Sequence, residues 1–147
     1  KTMVLGAVQR GGQVRLKVEK RATGRTLRKF VREHTTPDAK TVYTDDYPGY
    51  KGLKGDKNTT HDSVNHSQEE WVRGGVHTNS IEGVFSLFKR SIVGAYHQVS
   101  AKHLDAYLDE FEFRFNRRRS DQLFADTIRH LVSAKAMTFK ALTQTQS

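Results

Sequence analysis

Apolar residues run almost without interruption from Thr2 to Gln9, and from Gln13 to Glu19 they alternate with polar ones, with Arg10, Gly11 and Gly12 between the two stretches. A continuous apolar run suits a strand covered on both faces, strict alternation suits one covered on a single face, and glycines at the junction supply a turn. The pattern predicts a β-hairpin. Thr23 then stands where a helix N-cap belongs, and Leu27, Phe30 and Val31 make the apolar stripe of a helix that ends near His34, before Pro37 and Asp38. Thr41 to Thr44 is a short β-branched strand that delivers Asp45 and Asp46 at its C-terminal end, and Pro48 and Gly49 turn the chain immediately afterwards.

Between Gly52 and Gly75 the chain is polar and glycine-interrupted, with room for one short strand around residues 62–65. The helical period then returns. Ile81, Val84, Phe85, Phe88 and Ile92 share one face of a predicted helix over about 80–93, with Asn79 as its N-cap. Leu104, Tyr107, Leu108, Phe111 and Phe115 share one face of a second, capped by Ser100 and running to about Arg117. Leu123, Phe124, Ile128 and Leu131 predict a third over 121–142, before a frayed Thr-Gln tail. No internal repeat or low-complexity tract interrupts this order. A hairpin, a helix, strands and then helices imply an α/β domain, a mixed sheet with flanking helices.

Composition narrows the partners. The 147 residues suffice for one domain with a core, and 25 Lys and Arg against 16 Asp and Glu leave a formal charge of +9, which favours a polyanion such as nucleic acid. The absence of cysteine excludes a disulfide framework and any thiolate metal site. No apolar stretch approaches the ~18 residues of a membrane span and the N-terminus carries no signal-peptide pattern, so the expectation is a cytoplasmic protein with no membrane partner.

The acidic residues are the candidates for chemistry. An acid at a strand end and an acid on a later helix can meet at the carboxyl edge of a sheet, and oxygen ligands there suit Mg²⁺ or Mn²⁺. Asp45 and Glu82 fit those places, and Lys89, seven residues after Glu82 and on the same helix face, suits a phosphate contact. Each has a plain alternative: Asp45 as a turn former, Glu82 as the capping-box partner of Asn79, Lys89 as a solvated surface charge. His61, His66 and His77 have no zinc-site spacing. His66 and His77 suit the orientation of nearby carboxylates, or phosphate contact.

Several blocks, taken in order, carry a resemblance. Val42 to Tyr50, Val64 to Ser67, Val76 to Gly83 with its His77-Thr78-Asn79-Ser80-Ile81-Glu82-Gly83 core, Ser86 to Arg90, Tyr96 to Ser100, and Tyr107 to Arg118 together resemble the DDE-type transposase domain of bacterial insertion sequences. The resemblance implies an RNase H-like fold over residues 1–118, with 119–147 as a C-terminal helical extension, and an enzyme that cuts and joins DNA by two-metal chemistry. It implies that Asp45 and Glu82, with 36 residues between them, are the second and third catalytic acids and hold Mg²⁺ or Mn²⁺. Lys89 resembles the family's basic residue seven positions after the last acid, which contacts substrate DNA. Arg90, Arg117 and Arg118 extend that basic surface, and Asn79, with His77 and His66, falls behind the acids as a supporting polar group. The implied partners are transposon ends and target DNA, bound by a homo-oligomer on the bacterial nucleoid.

One departure limits the expectation. The family's first acid lies on the central strand of the sheet, ahead of the hairpin, and no acid between Lys1 and Gln13 matches it. The expectation is therefore a partial catalytic domain, inactive by itself, with its first, central strand missing. The alternative is a non-catalytic basic nucleic-acid-binding module or a decayed transposase copy.

Overall fold

A computed structural model describes residues 2–36, 39, 41–45, 47–53, 60–64, 79–136 and 138. The predicted hairpin is present, β1 (Met3–Val8) and β2 (Val14–Glu19), antiparallel from Met3 opposite Glu19 to Val8 opposite Val14. Its turn depends on Gly11, whose φ of +70° favours glycine, and is closed by the Gly12 N–H donating to Gln9 O and the Gln9 N–H donating to Gln13 O, both at 2.9 Å.

The two faces of β1 meet different helices. On one, Leu5 and Ala7 join Leu27 and Phe30 of α1 (Gly24–His34), which begins where predicted, with Thr23 Oγ1 accepting from the Thr26 N–H at 3.2 Å. On the other, α2 (Asn79–Ser91) approaches so closely that a Cβ at Gly6 would lie 2.8 Å from Phe85 Cζ and 2.9 Å from Ile81 Cδ1. β1 is thus packed on both faces, as its apolar run implies, although only Leu5 is fully buried.

α3 (Leu104–Asn116) closes the outer edge of β2 with side chains. Asn116 Oδ1 accepts from the Val14 N–H at 2.7 Å and its Nδ2 donates to Val14 O at 3.0 Å, while Glu112 Oε1 accepts from the Leu16 N–H. Two residues one helical turn apart imitate a neighbouring strand, satisfying groups that an open edge would leave to solvent or to another chain. The same helix packs on α2 through Phe88 and Phe111, edge to face at 5.3 Å.

β3 (Thr41–Asp45) and β4 (Thr60–Val64) form a second, parallel pair in register from Thr41 opposite Thr60 to Asp45 opposite Val64. The class is α/β, yet no ladder joins the two pairs among the described residues, so the strands stand as two small sheets and not as one mixed sheet. Two contacts bridge them: Tyr50, in the 3-10 turn Pro48–Tyr50 after β3, packs on the Leu5, Leu27 and Phe30 cluster, and the Arg10 guanidinium of the hairpin turn lies 4.6 Å from the ring centroid of Tyr43 on β3.

Three helix boundaries differ from the sequence pattern. α2 includes Asn79 as its first residue and passes into a π-type turn, Ile92–Tyr96, so the chain stays coiled past the predicted end. α3 starts after His103, not Ser100, because the His103 N–H donates to Ser100 O in a separate turn first. α4 is Leu123–Ser133, shorter than 121–142. The backbone turns extended at Ala134, whose N–H still donates to His130 O, and the Ser133 hydroxyl donates to Arg129 O. None of α4 is buried.

Candidate functional site

β3 delivers Asp45 as expected. Thr44 is buried and Asp45, the next residue and last of the strand, is exposed, because successive strand residues face opposite ways. Thr44 Oγ1 donates to Asp45 O at 2.8 Å and lies 2.9 Å from Nε2 of His61 on β4. With its one proton committed to the carbonyl, the hydroxyl accepts from the ring, so Nε2 carries a hydrogen. His61 thereby steadies the end of the Asp45 strand. Sequence spacing gives His61 no metal site and does not reveal this contact, since the parallel register that brings it beside Thr44 is set by residues far along the chain. Tyr50 registers the acid: burial, then the Asp45 charge, then Tyr47 raise its ionisation above the ordinary value of 10.0.

Glu82 is exposed in the first turn of α2, where a carboxylate faces the positive end of the helix. Its neighbour Ile81 seats the turn on Gly6 of β1. Burial of Val84 and Phe88 turns the opposite face outwards, and Glu82, Lys89 and Arg90 are all exposed there. Beside the acid, Gly83 is exposed, and a Cβ built on it would meet nothing within 4 Å among the described residues. Asn79 is exposed at its start.

Asp45 is thus tied through Tyr50 to the α1 side of the hairpin, and Glu82 through Ile81 to the α2 side. Among the described residues, no group of three or more His, Cys, Asp and Glu side chains forms a potential metal site. His66, His77 and Asp46 lie outside the described residues.

Two of the predicted arginines, Arg117 and Arg118, have partners within the fold. The Arg117 guanidinium lies 4.1 Å from the centroid of Phe113 and that of Arg118 lies 4.0 Å from Phe115. Arg118 Nη1 also donates to Phe115 O at 2.8 Å and Gly12 O at 3.3 Å, joining the end of α3 to the hairpin turn. Asn116 and Glu112, which seal β2, have no signal in the sequence beyond their polarity at the border of an apolar stripe.

Residues 1–116 match the ISXO2-like transposase domain family. A stretch of 74 residues is 38% identical to an uncharacterized protein in transposable element ISH50 of Halobacterium salinarum, covering 50% of this chain and 25% of that relative. The chain therefore spans about a quarter of the length of that curated relative. No solved structure matches the chain at a significant level. Among the described residues, no helix is long and apolar enough to cross a membrane.

Proposed function

Because the chain belongs to the ISXO2-like transposase domain family, we propose that it forms part of an RNase H-like catalytic domain that cleaves and joins DNA ends, with Asp45 and Glu82 as two of its metal-holding acids. The observation that carries this reading is the family match over 1–116, and it is supported by two exposed carboxylates, one closing β3 and one in the first turn of α2. Both are hard oxygen donors, the type Mg²⁺ and Mn²⁺ prefer. Such an ion, when bound, activates a water or a 3′-hydroxyl and stabilises the leaving oxygen of a phosphodiester.

This chain's own residues do the rest. The Asp45 strand end is held by Thr44 and His61, and the Glu82 turn is held by Ile81 and Phe85 against β1. Lys89, two turns beyond Glu82 on the exposed face, binds the DNA phosphate backbone as a point charge, with Arg90 beside it. Gly83 leaves the space beside Glu82 open for substrate. In this reading Asn79, His77 and His66 orient the acids, and Arg117 and Arg118 add positive potential to the DNA-facing surface.

The test uses protein expressed from an intact element. Glu82→Gln is expected to abolish joining of transposon ends in Mg²⁺ or Mn²⁺ while leaving end binding within a few-fold of the parent, and Lys89→Ala to weaken binding with a shallower salt dependence. Joining that survives Glu82→Gln overturns the assignment. A second reading is a basic DNA-binding module without chemistry, supported by the formal charge of +9 and the exposed Lys89 and Arg90. It predicts that neither Asp45→Asn nor Glu82→Gln changes any metal-dependent property, including Mn²⁺ binding followed by its paramagnetic relaxation.

A further inference from the structure

α1 carries a surface of one charge. From Lys20 to Arg32 the chain has six cationic side chains, Lys20, Arg21, Arg25, Arg28, Lys29 and Arg32, and no carboxylate. Burial of Leu27 and Phe30 turns the last four to the opposite side of the helix, where three are exposed and Arg28 is half-buried. Solubility alone is served by mixed signs, as where Glu110 pairs with Arg114 on α3 and Asp126 with Arg129 on α4. On α1 the pairs Arg25–Arg28, Arg25–Lys29 and Arg28–Arg32 instead set like charges three and four residues apart, spacings at which they repel. Arg25 also stands in a first turn that holds no acid, at the positive end of the helix. Glu33 relieves only the border of this face, meeting Lys29 at 3.7 Å. Such a helix loses stability to its own charges unless an anion covers it.

Arg28 has the most defined setting. Its Nη1 lies 2.9 Å from where a Cβ on Gly24 would stand and 3.6 Å from where one on Gly52 would, so the guanidinium is lodged between the start of α1 and the turn after β3 with a glycine on each side. Among the described residues no carboxylate pairs with it. The turn begins three residues after Asp45, and Lys51 is exposed just beyond it. We propose that this face of α1, with the turn after β3, is a second DNA-backbone site, in which Arg25, Arg28, Arg32 and Lys51 hold phosphates of the duplex beside the Asp45 end without reading its sequence. It rests on the reading of the chain as a DNA-handling domain and goes beyond it, since that reading draws its contacts from α2 and the end of α3. Two observations select DNA. Arg25 to Arg32 spans about 10 Å of helix, over which one strand presents about three phosphates, and arginine forks fit phosphate with two parallel bonds. An anionic membrane would need the apolar side of the helix, which Leu27 and Phe30 already commit to the core.

The experiment is fluorescence anisotropy of a labelled random-sequence duplex with the 147-residue chain in EDTA, from about 50 to 200 mM salt, so that neither metal nor joining enters. R25Q/R32Q, at two exposed positions, is expected to weaken binding about 10-fold or more at the lowest salt and to reduce the slope of log K against log salt by about 2. R28K, which keeps the charge and loses the fork, is expected to bind a few-fold more weakly at an unchanged slope. R25Q alone is expected to raise the melting temperature of the free chain while weakening the complex, a pairing of effects that a structural role does not produce. Parental affinity and slope in R25Q/R32Q overturn the site, as does a melting temperature that falls in R25Q together with binding. If Lys89→Ala weakens binding while R25Q/R32Q does not, the α1 site fails and the proposed function stands. If R25Q/R32Q weakens binding while joining by the intact element survives Glu82→Gln, the α1 site stands and the catalytic assignment fails. Binding to phosphatidylserine vesicles that R25Q/R32Q abolishes, with duplex binding unchanged, overturns the site in favour of a membrane.

Discussion

α3 and α4 carry the same kind of sequence, an apolar stripe at helical spacing with polar residues opposite, and meet opposite ends. α3 buries Leu108 to 1% exposure and packs Phe111 on Phe88, whereas α4 buries nothing and leaves Phe124 79% exposed. The difference lies in the polar residues at the borders of the stripes. Those of α3, Glu112 and Asn116, reach the open edge of β2 and fix the helix there by hydrogen bonds to Val14 and Leu16. Those of α4 bond within the helix: Arg129 to Asp126 at 3.0 Å, and the Thr127 hydroxyl to Leu123 O at 2.7 Å. Periodicity makes a helix and a stripe. Bonds to another element decide what the stripe meets.

The strongest test of this contrast is a matched pair of core deletions. Leu108→Ala should destabilise the fold by about 2–5 kcal/mol, through lost transfer energy and the cavity left behind. Leu131→Ala should change it by no more than about 0.5 kcal/mol. Urea denaturation of both checks this, and equal losses would show that α4 is packed in solution. Next comes Asn116→Ala, expected to cost about 1–3 kcal/mol, since it strips both partners from the buried Val14 backbone. Asn116→Asp keeps the acceptor for the Val14 N–H but sets a carboxylate oxygen against Val14 O where the amide donor stood, so it should cost at least as much as Asn116→Ala. Hydrogen exchange at the Val14 and Leu16 amides, read in both variants, separates edge opening from global unfolding.

The hairpin, α1 and the strand ending in Asp45 follow from sequence because short-range rules specify them: a glycine turn, a threonine cap and an alternating run. The exposed positions of Glu82 and Lys89 also follow, since the apolar stripe of α2 fixes which side faces out. What the sequence withholds is long-range. The edge seal formed by Asn116 and Val14 spans 102 residues, and the His61 contact with Thr44 depends on a strand register that no local pattern encodes. Ser100 looks like a helix cap yet closes a turn of its own, since serine hydroxyls and backbones serve both. The basic cluster after α3 reads as DNA-binding from its charge alone, but Arg118 is also a clamp between α3 and the hairpin turn, a role visible only once Gly12 is beside it.

The smallest expected effect tests how α3 holds the π-type turn after α2. Tyr96 donates to Glu110 Oε2 at 2.6 Å and its ring meets Tyr107 edge to face at 4.6 Å. The bond to Glu110 is the first cause that raises the ionisation of Tyr96 above its ordinary 10.0, followed by burial and the Glu110 charge, with Arg114 opposing. The folded chain therefore holds this proton more tightly than the unfolded chain does. The resulting stabilisation is fully present below pH 10.0 and is lost as pH rises through the higher folded value. The pair is open to solvent, so the change in stability is slight and the titration itself is the better reading. Tyr96 and Tyr50 should ionise above the ordinary 10.0 in the ultraviolet difference spectrum. Glu110→Gln should bring the Tyr96 component down while leaving that of Tyr50, which depends on burial and Asp45, in place. Asp126→Asn on α4 should move neither. If Glu110→Gln leaves both tyrosines unmoved, the turn is not held by α3 in solution, and the contrast between the two helices narrows to the edge of β2 alone.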